Sequence, residues 1–300
     1  MTLQQLKYVV TVAEAGSITE AAERLYISQP SLTKAIHMIE EEMQLQIFLR
    51  SKKGVILTRE GEEFLSYARQ LLEQAALMKE RFGGVASRNP RFSVSCQHYS
   101  FAVNAFVDLV KEYDYQRYDF TLRETQTREI IEDVSSGKSE IGVLYLSNHN
   151  EEVIRKLLKK NELVFEELFV ARPHVFIYRN HPLAEKEEIR LEELDPYPYL
   201  SFEQGEYNSF YYSEEILSTL DRPKNIKVRD RATLFNLVIG LNGYTVSSGV
   251  LDAELNGENI IARPLSVEER MRIGAISRKN SILSRYGEKY MQSLRSMVKG

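Results

Sequence analysis

Gln29, Ser31, Thr33 and Lys34 bring short donors and acceptors and one cation to one side of a stretch whose other side carries Leu32, Ile36 and Ile39. Apolar residues at this spacing mark the inward face of a helix, which places the polar set outward at its amino-terminal end. Such a set suits base edges and phosphates in a DNA major groove. Ser28 can cap this helix, and Pro30 falls in its first turn, where a missing N–H costs nothing. Other reactive residue types are less ordered. His37, His98, His149, His174 and His181 show no metal-ligand spacing, and Cys96 has no cysteine partner. No GxSxG elbow, P-loop or dinucleotide glycine signature occurs. Cys96, His98 and Ser100 would share a face if they lay on one strand, but no third orienting group accompanies them. No catalytic residue, metal site or cofactor is expected, and Cys96 reads as a core thiol.

Several elements must hold the polar helix in place. Ser17 followed by Glu20 fits a capping box at the start of a preceding helix, where Ala21, Ala22 and Leu25 face inward. Tyr26 and Ile27 make the turn, with Ile27 as a buried plug. Upstream, Leu3, Leu6, Val10 and Ala13 predict a first helix stopped by Gly16. Downstream, Ile47-Phe48 and Val55-Ile56-Leu57 flank Arg50-Ser51-Lys52-Lys53-Gly54, a two-stranded wing whose cations Arg50, Lys52 and Lys53 can lie against the DNA backbone. Taken alone, the pair of helices could be an ordinary hairpin and the basic turn a solvated one. The neighbourhood argues for DNA binding by Ser28, Gln29, Pro30, Ser31, Thr33 and Lys34, with the wing beside them.

Thr58 caps a long helix in which Phe64, Ala68, Leu71, Ala75, Met78 and Phe82 recur every 3.5 residues on average, the seam of a short coiled coil. The seam predicts self-association and, for a twofold dimer, an inverted-repeat operator with half-sites about one turn (~34 Å) apart or a multiple of it. The alternative is a helix packed on its own domain. Net charge is −4, and residues 1–60 balance seven Lys/Arg against seven Glu. So small a basic footprint suits a dimer or higher oligomer that multiplies its contacts.

Three hundred residues allow more than one core. No apolar run approaches the ~18 residues of a membrane span, and no signal-peptide pattern opens the chain, so a cytoplasmic location without membrane association is expected. Beyond a hinge near Gly83-Gly84 the pattern turns to strands alternating with helices. Strands are expected at 92–96, 120–124 and 141–144. A second group is expected to open with 165–169 and 175–178, and a returning strand lies at 273–277. This divides the chain into a DNA-binding domain (1–58), a linker helix and hinge (59–87) and an α/β domain (88–300). Within the last, one subdomain takes about 88–164 and 268–300 and the other about 165–267, facing each other across a cleft. Ser100 and Thr127 sit where strands hand over to helices, and a hydroxyl with free N–H groups there would make an anion site. The alternative for both is a plain helix cap. Tyr197–Tyr212, rich in aromatics, either shapes a pocket or covers an edge.

The opening LQQLKYVVTVAEAGSITEAAERLYISQPSLTKAIHMIEEEMQLQIFLRSKKGVILTREGEEFL, with the chain length, resembles the LysR-type transcriptional regulators. The resemblance spans the chain, and its specific motifs lie in about the first 65 residues. It implies an α+β protein: a winged helix-turn-helix, a linker helix and a periplasmic-binding-protein-like effector domain of two subdomains. It also implies a homodimer or homotetramer on double-stranded DNA, promoter bending modulated by a small carboxylate or amino-acid-derived effector, and recruitment of RNA polymerase. Effector contacts would fall on Ser100, Phe101, Thr125, Thr127, Ser201, Phe202 and Thr233. The QHYSFAVNAFV stretch resembles regulators of cysteine and methionine metabolism in Gram-positive bacteria, which implies a precursor such as O-acetylserine. The family's glycine-rich turn ends in an apolar residue and proline, where this chain has Ser248 and Gly249. A DNA-bending protein with a non-sensing cleft would use the same first 65 residues. A metabolite-converting enzyme with a DNA-binding module is the remaining alternative.

Overall fold

The computed structural model describes residues 1–51, 54–82, 90–113, 117–205, 209–251 and 257–296. The chain divides into two compact units, Met1–Ser87 and Arg88–Gly300.

In the first unit, α1 (Leu3–Ala15) opens with a capping box: the Gln5 amide donates to Thr2 Oγ1 at 3.2 Å and the Thr2 amide to Gln5 Oε1 at 2.9 Å. Gly16, at φ +65°, ends it. The buried stripe is Leu6, Val9 and Val12; Leu3 is exposed and Val10 and Ala13 are only half-buried. The expected stripe is therefore rotated, because α1 packs against α2 (Ile18–Arg24) and α3 (Gln29–Met43) on one side and against α4 (Arg59–Phe82) on another. At the start of α2 only half the expected capping box forms. The Ser17 hydroxyl accepts from the Glu20 amide at 3.4 Å, while the Glu20 carboxylate pairs with Arg24 one turn on.

Strands β1 (Phe48–Ser51) and β2 (Gly54–Leu57) form the wing as an antiparallel pair. Gly54 could be nothing else: its φ is +126°, and a Cβ there would lie 2.2 Å from the Gly16 carbonyl oxygen. Thr58 caps α4, accepting from the Gly61 amide at 2.8 Å and donating to Gln46 O at 2.6 Å. The heptad stripe of α4 divides. Ala68 is buried in the core of its own unit, with Phe64 packed against it, whereas Leu71 and Met78 are 47% and 61% exposed. Leu65, off the expected seam, is buried too. Ala75 is half-buried, and the side chain of Phe82 lies outside the described residues.

The second unit holds two five-stranded sheets. The first contains β3 (Arg91–Cys96), β4 (Asp119–Glu124), β5 (Ile141–Leu146), β6 (Leu163–Ala171) and β12 (Met271–Arg278), in the order β4-β3-β5-β12-β6. The second contains β7 (His174–Tyr178), β8 (Tyr199–Phe202), β9 (Asn225–Val228), β10 (Tyr244–Ser247) and β11 (Ile260–Pro264), in the order β11-β7-β10-β8-β9. The helices are α5 (Ser100–Glu112), α6 (Thr127–Ser135), α7 (Glu151–Lys160), α8 (Arg231–Leu241) and α9 (Arg285–Ser296). The expectation that 165–169 opens the second group is corrected. These residues lie in β6, which pairs antiparallel with β12, Phe165 opposite Ile276, at the edge of the first sheet. The chain thus passes between sheets after Ala171 and returns after Pro264. The amphipathic helix α7, which buries Ile154 and Leu158, is absent from the sequence reading.

Candidate functional site

In α3 the sequence sets Leu32, Ile36 and Ile39 into the core at 0%, 4% and 0% exposure. The opposite face presents Gln29, Pro30, Thr33, Lys34, His37 and Glu41 along a shallow groove. The two serines at its start serve the helix first: Ser28 Oγ accepts from the Ser31 amide at 3.3 Å and shares a 2.7 Å hydrogen bond with Ser31 Oγ. Gln29 and Lys34 are exposed and Thr33 half-buried. Two exposed neighbours were missed. His37 follows Thr33 by four residues on the same face, so extending the helical period would have found it. Tyr26, 95% exposed at φ +55°, is displayed by the turn itself, which no periodicity signals. Glu40 ties the wing to this helix, its Oε1 accepting from the amides of Ile47 (2.8 Å) and Phe48 (3.1 Å). Arg50 stands in β1 opposite Val55, its side chain outside the described residues, as are Lys52 and Lys53.

In the second unit a narrow pocket of about 20 Å³, partly open to solvent, lies between the two sheets. From the first sheet come His98 and Tyr99, just past β3. From the second come Phe176, Phe202, Thr245, Val246 and Ser247, with Glu214 and Glu215 from the loop after β8 and Arg231, Leu234 and Phe235 from α8. His98 reaches across: its Nδ1 lies 2.8 Å from Glu214 Oε2, which also accepts the His98 amide at 2.9 Å. The imidazole stacks on Phe202 with centroids 3.8 Å apart and planes 7° off parallel. Burial alone would lower the affinity of His98 for a proton, but the Glu214 carboxylate outweighs it and raises the pKa. A second ion pair joins Glu124, at the end of β4, to Arg231 at 3.1 Å; burial raises the Glu124 pKa despite that partner. Glu215 is buried against Glu214 and pushed up to about 8, although its carboxylate accepts the Phe202 amide at 2.8 Å.

The hydroxyls expected to hold an anion are bound to the protein instead. Ser100 Oγ donates to Val250 O at 3.2 Å. Thr127 Oγ1 donates to Tyr212 O at 2.7 Å and accepts from Gln97 Nε2 at 2.6 Å, while the Thr127 amide donates to Gln204 Oε1 at 3.2 Å. Neither residue is the helix cap; Tyr99 and Gln126 hold those positions. Phe101, 1% exposed, packs edge-on to Phe169 in the core, so it offers no face to a ligand. Thr125 pairs with Glu129, and Thr233, exposed on the first turn of α8, gives its amide to Asp230 Oδ1 at 2.8 Å. Phe202 lines the pocket, and Ser201 is buried in β8 beside it. Within the aromatic segment Phe202 lines the pocket, while Phe210 and Tyr211 are exposed.

Gln97, fully buried, organises the strand ends: besides holding Thr127, its Oε1 accepts from the Tyr145 amide and Tyr99 hydroxyl, both at 3.1 Å. Glutamine at a strand end carries no periodic signal, and Glu214 and Glu215 lie in irregular chain, so the sequence reading passed over all three. Cys96 is fully buried and its thiol is pushed well above the usual range by burial. Because β3 ends at Cys96 and α5 starts at Ser100, residues 96, 98 and 100 do not share a strand face. The described residues contain no cluster able to hold a metal and no helix long and apolar enough to cross a membrane.

Two family profiles match this chain: "Bacterial regulatory helix-turn-helix protein, lysR family" over residues 3–62 and "LysR substrate binding domain" over 86–299. The uncharacterized HTH-type transcriptional regulator YnfL of Escherichia coli is 30% identical over 224 residues, 73% of this chain and 71% of that protein. Among solved structures, full-length OxyR of Pseudomonas aeruginosa bearing a cysteine-to-aspartate substitution is similar at a TM-score of 0.69 and 23% identity, covering 98% of each chain. Full-length CbnR in complex with its target DNA is similar at 0.60 and 19%, covering 99% of this chain and 100% of that one. At these identities the two structures share the fold.

Proposed function

The chain belongs to the lysR family of bacterial regulatory helix-turn-helix proteins, a DNA-binding transcriptional regulator with an effector-binding domain, and we propose how its residues divide that work. The start of α3 enters the major groove, with Gln29, Pro30, Ser31 and Thr33 at base edges. Ser28, Lys34, Arg50, Lys52 and Lys53 hold phosphates and set register. Leu71 and Met78, exposed on α4, bring two chains together, so that two recognition helices meet an inverted repeat and position the promoter for RNA polymerase. A small molecule in the pocket around His98 and Phe202 changes the balance between arrangements of the two sheets, by no more than its difference in affinity for them. The protein performs no catalytic step and works in the cytoplasm, where the DNA is.

One observation carries this reading: α3 buries Leu32, Ile36 and Ile39 and leaves a polar face, Gln29 to His37, outside the core. Selecting bound fragments from a genomic pool with the full chain recovers its operator. On that DNA, Gln29→Ala should cost ~1–3 kcal/mol while affinity for unrelated duplex stays nearly unchanged. Equal losses on both would remove Gln29 from base reading.

A further inference from the structure

Where β3 and β4 hand over to α5 and α6, four donors of the first sheet's side meet acceptors from the second. Ser100 Oγ donates to Val250 O, Thr127 Oγ1 to Tyr212 O and the Thr127 amide to Gln204 Oε1. The fourth donor, the His98 amide, gives to Glu214 Oε2 at 2.9 Å. Three of these acceptors are neutral carbonyls. Glu214 alone brings a carboxylate.

That carboxylate is held as a bound ligand would be. Glu214 is 5% exposed. Its Oε2 also lies 2.8 Å from His98 Nδ1, and its Oε1 accepts from Gln204 Nε2 at 3.2 Å, so both oxygens are bonded. With Glu214 seated, the pocket beside it keeps about 20 Å³, room for about one water. Arg231 lines the same space, and its buried Nη1 has no hydrogen-bond partner among the described residues. The corner that could receive an anion is built, and a group of this chain fills it.

Resting on the reading of this cleft as the effector site, we infer that Glu214 is an internal stand-in for the effector. Its carboxylate takes the place of a small carboxylate ligand, and a free one enters only by displacing it. A tethered carboxylate competes at an effective concentration on the order of millimolar or more, so the native chain binds free carboxylates weakly. The arrangement of the two sheets that Glu214 holds is then the one a ligand would otherwise hold.

Removing the side chain and returning its atoms separately tests this on the full chain. Glu214→Ala deletes a methylene and the carboxylate, which acetate replaces. Acetate should raise the melting temperature of this variant saturably, with an apparent dissociation constant about tenfold or more below that for the native chain. Acetamide or chloride at equal concentration should not. Glu214→Gln, of nearly the same shape, serves if the alanine variant does not melt cooperatively. Its amide is a weaker occupant than a carboxylate, so acetate should bind it about tenfold more tightly than the native chain in titration calorimetry. An acetate effect equal on native and variant chains, one matched by acetamide, or no saturation of either variant in the millimolar range would overturn the stand-in.

Operator affinity separates this from the effector reading. Glu214→Ala should alter it, and acetate should restore the native value. A melt restored by acetate with operator affinity unmoved throughout would keep the stand-in and remove the regulatory role of the cleft. An operator affinity altered by Glu214→Ala, with neither it nor the melt restored by acetate, would keep that role and remove the stand-in.

Discussion

Glu215 is 3% exposed and sits among Glu214, His98 and the hydroxyls of Tyr99, Tyr145 and Tyr199. Its pKa, pushed up to about 8 from an ordinary 4.5 by burial and then by Glu214, has a consequence for stability. An acid whose folded-state pKa exceeds its unfolded one holds its proton more tightly when folded. Stability therefore falls as pH rises from about 4.5 through about 8. His98 acts in the same direction: its pKa is raised in the fold, so its contribution is present below the unfolded value of 6.5 and lost as pH rises through the folded one. Glu215→Gln removes the Glu215 part. Its melting temperature should exceed that of the native chain at pH 8, by an amount on the order of a few kcal/mol in stability, and the two should converge near pH 5. Thermal melts at the two pH values check this. A native chain as stable at pH 8 as at pH 5 would mean that Glu215 is ionised at little cost.

At the scale of single elements, α4 shows what a periodic pattern conveys and what it omits. The 3.5-residue repeat marks an apolar seam, but it does not say which partner covers each position. Phe64 and Ala68 pack within their own unit, while Leu71 and Met78 stay exposed, joined by Tyr67 at 51% exposure. Changing Leu71 and Met78 together to Lys should therefore separate the oligomer without unfolding the helix. Burial of each such side chain contributes about 1.5–3 kcal/mol, so the dimer dissociation constant should rise by roughly a hundredfold or more, read by sedimentation. Ala68→Leu, which overfills the core of its own unit, should lower stability by about 1–3 kcal/mol and leave association intact. Where an element's identity rests on local pattern and caps, as for α3 with Ser28, Pro30 and its Leu32–Ile36–Ile39 stripe, the sequence and the structure agree. Where it rests on a distant partner they part: β6 belongs to the first sheet because β12 returns beside it over a hundred residues later. The pocket follows the same rule. Phe202 was legible as a strand-end aromatic, whereas Glu214 and Glu215 acquire meaning only when the sheets bring them opposite His98.

For the molecule as a whole, each unit has a core of its own. One apolar cluster, from Leu6 to Ala68, is confined to the first unit; the other three lie wholly within residues 88–300. The second unit is further joined across its cleft by contacts between its two sheets: His98 with Glu214, Glu124 with Arg231, Ser100 with Val250, and Thr127 with Gln204 and Tyr212. Such links couple the unfolding of the two sheets, and among the described residues each core cluster lies within one unit. A fragment of residues 88–300 should then melt in one cooperative step, and calorimetry of the full chain should contain that step at nearly the same temperature. Glu215→Gln should move this step at pH 8 in fragment and full chain alike, and leave any separate transition of the first unit in place. One shared transition in the full chain, well removed from that of the fragment, would show that the units stabilise each other. An effector's signal would then reach the DNA-binding unit through that coupling, with its magnitude bounded by the shift between the two melts.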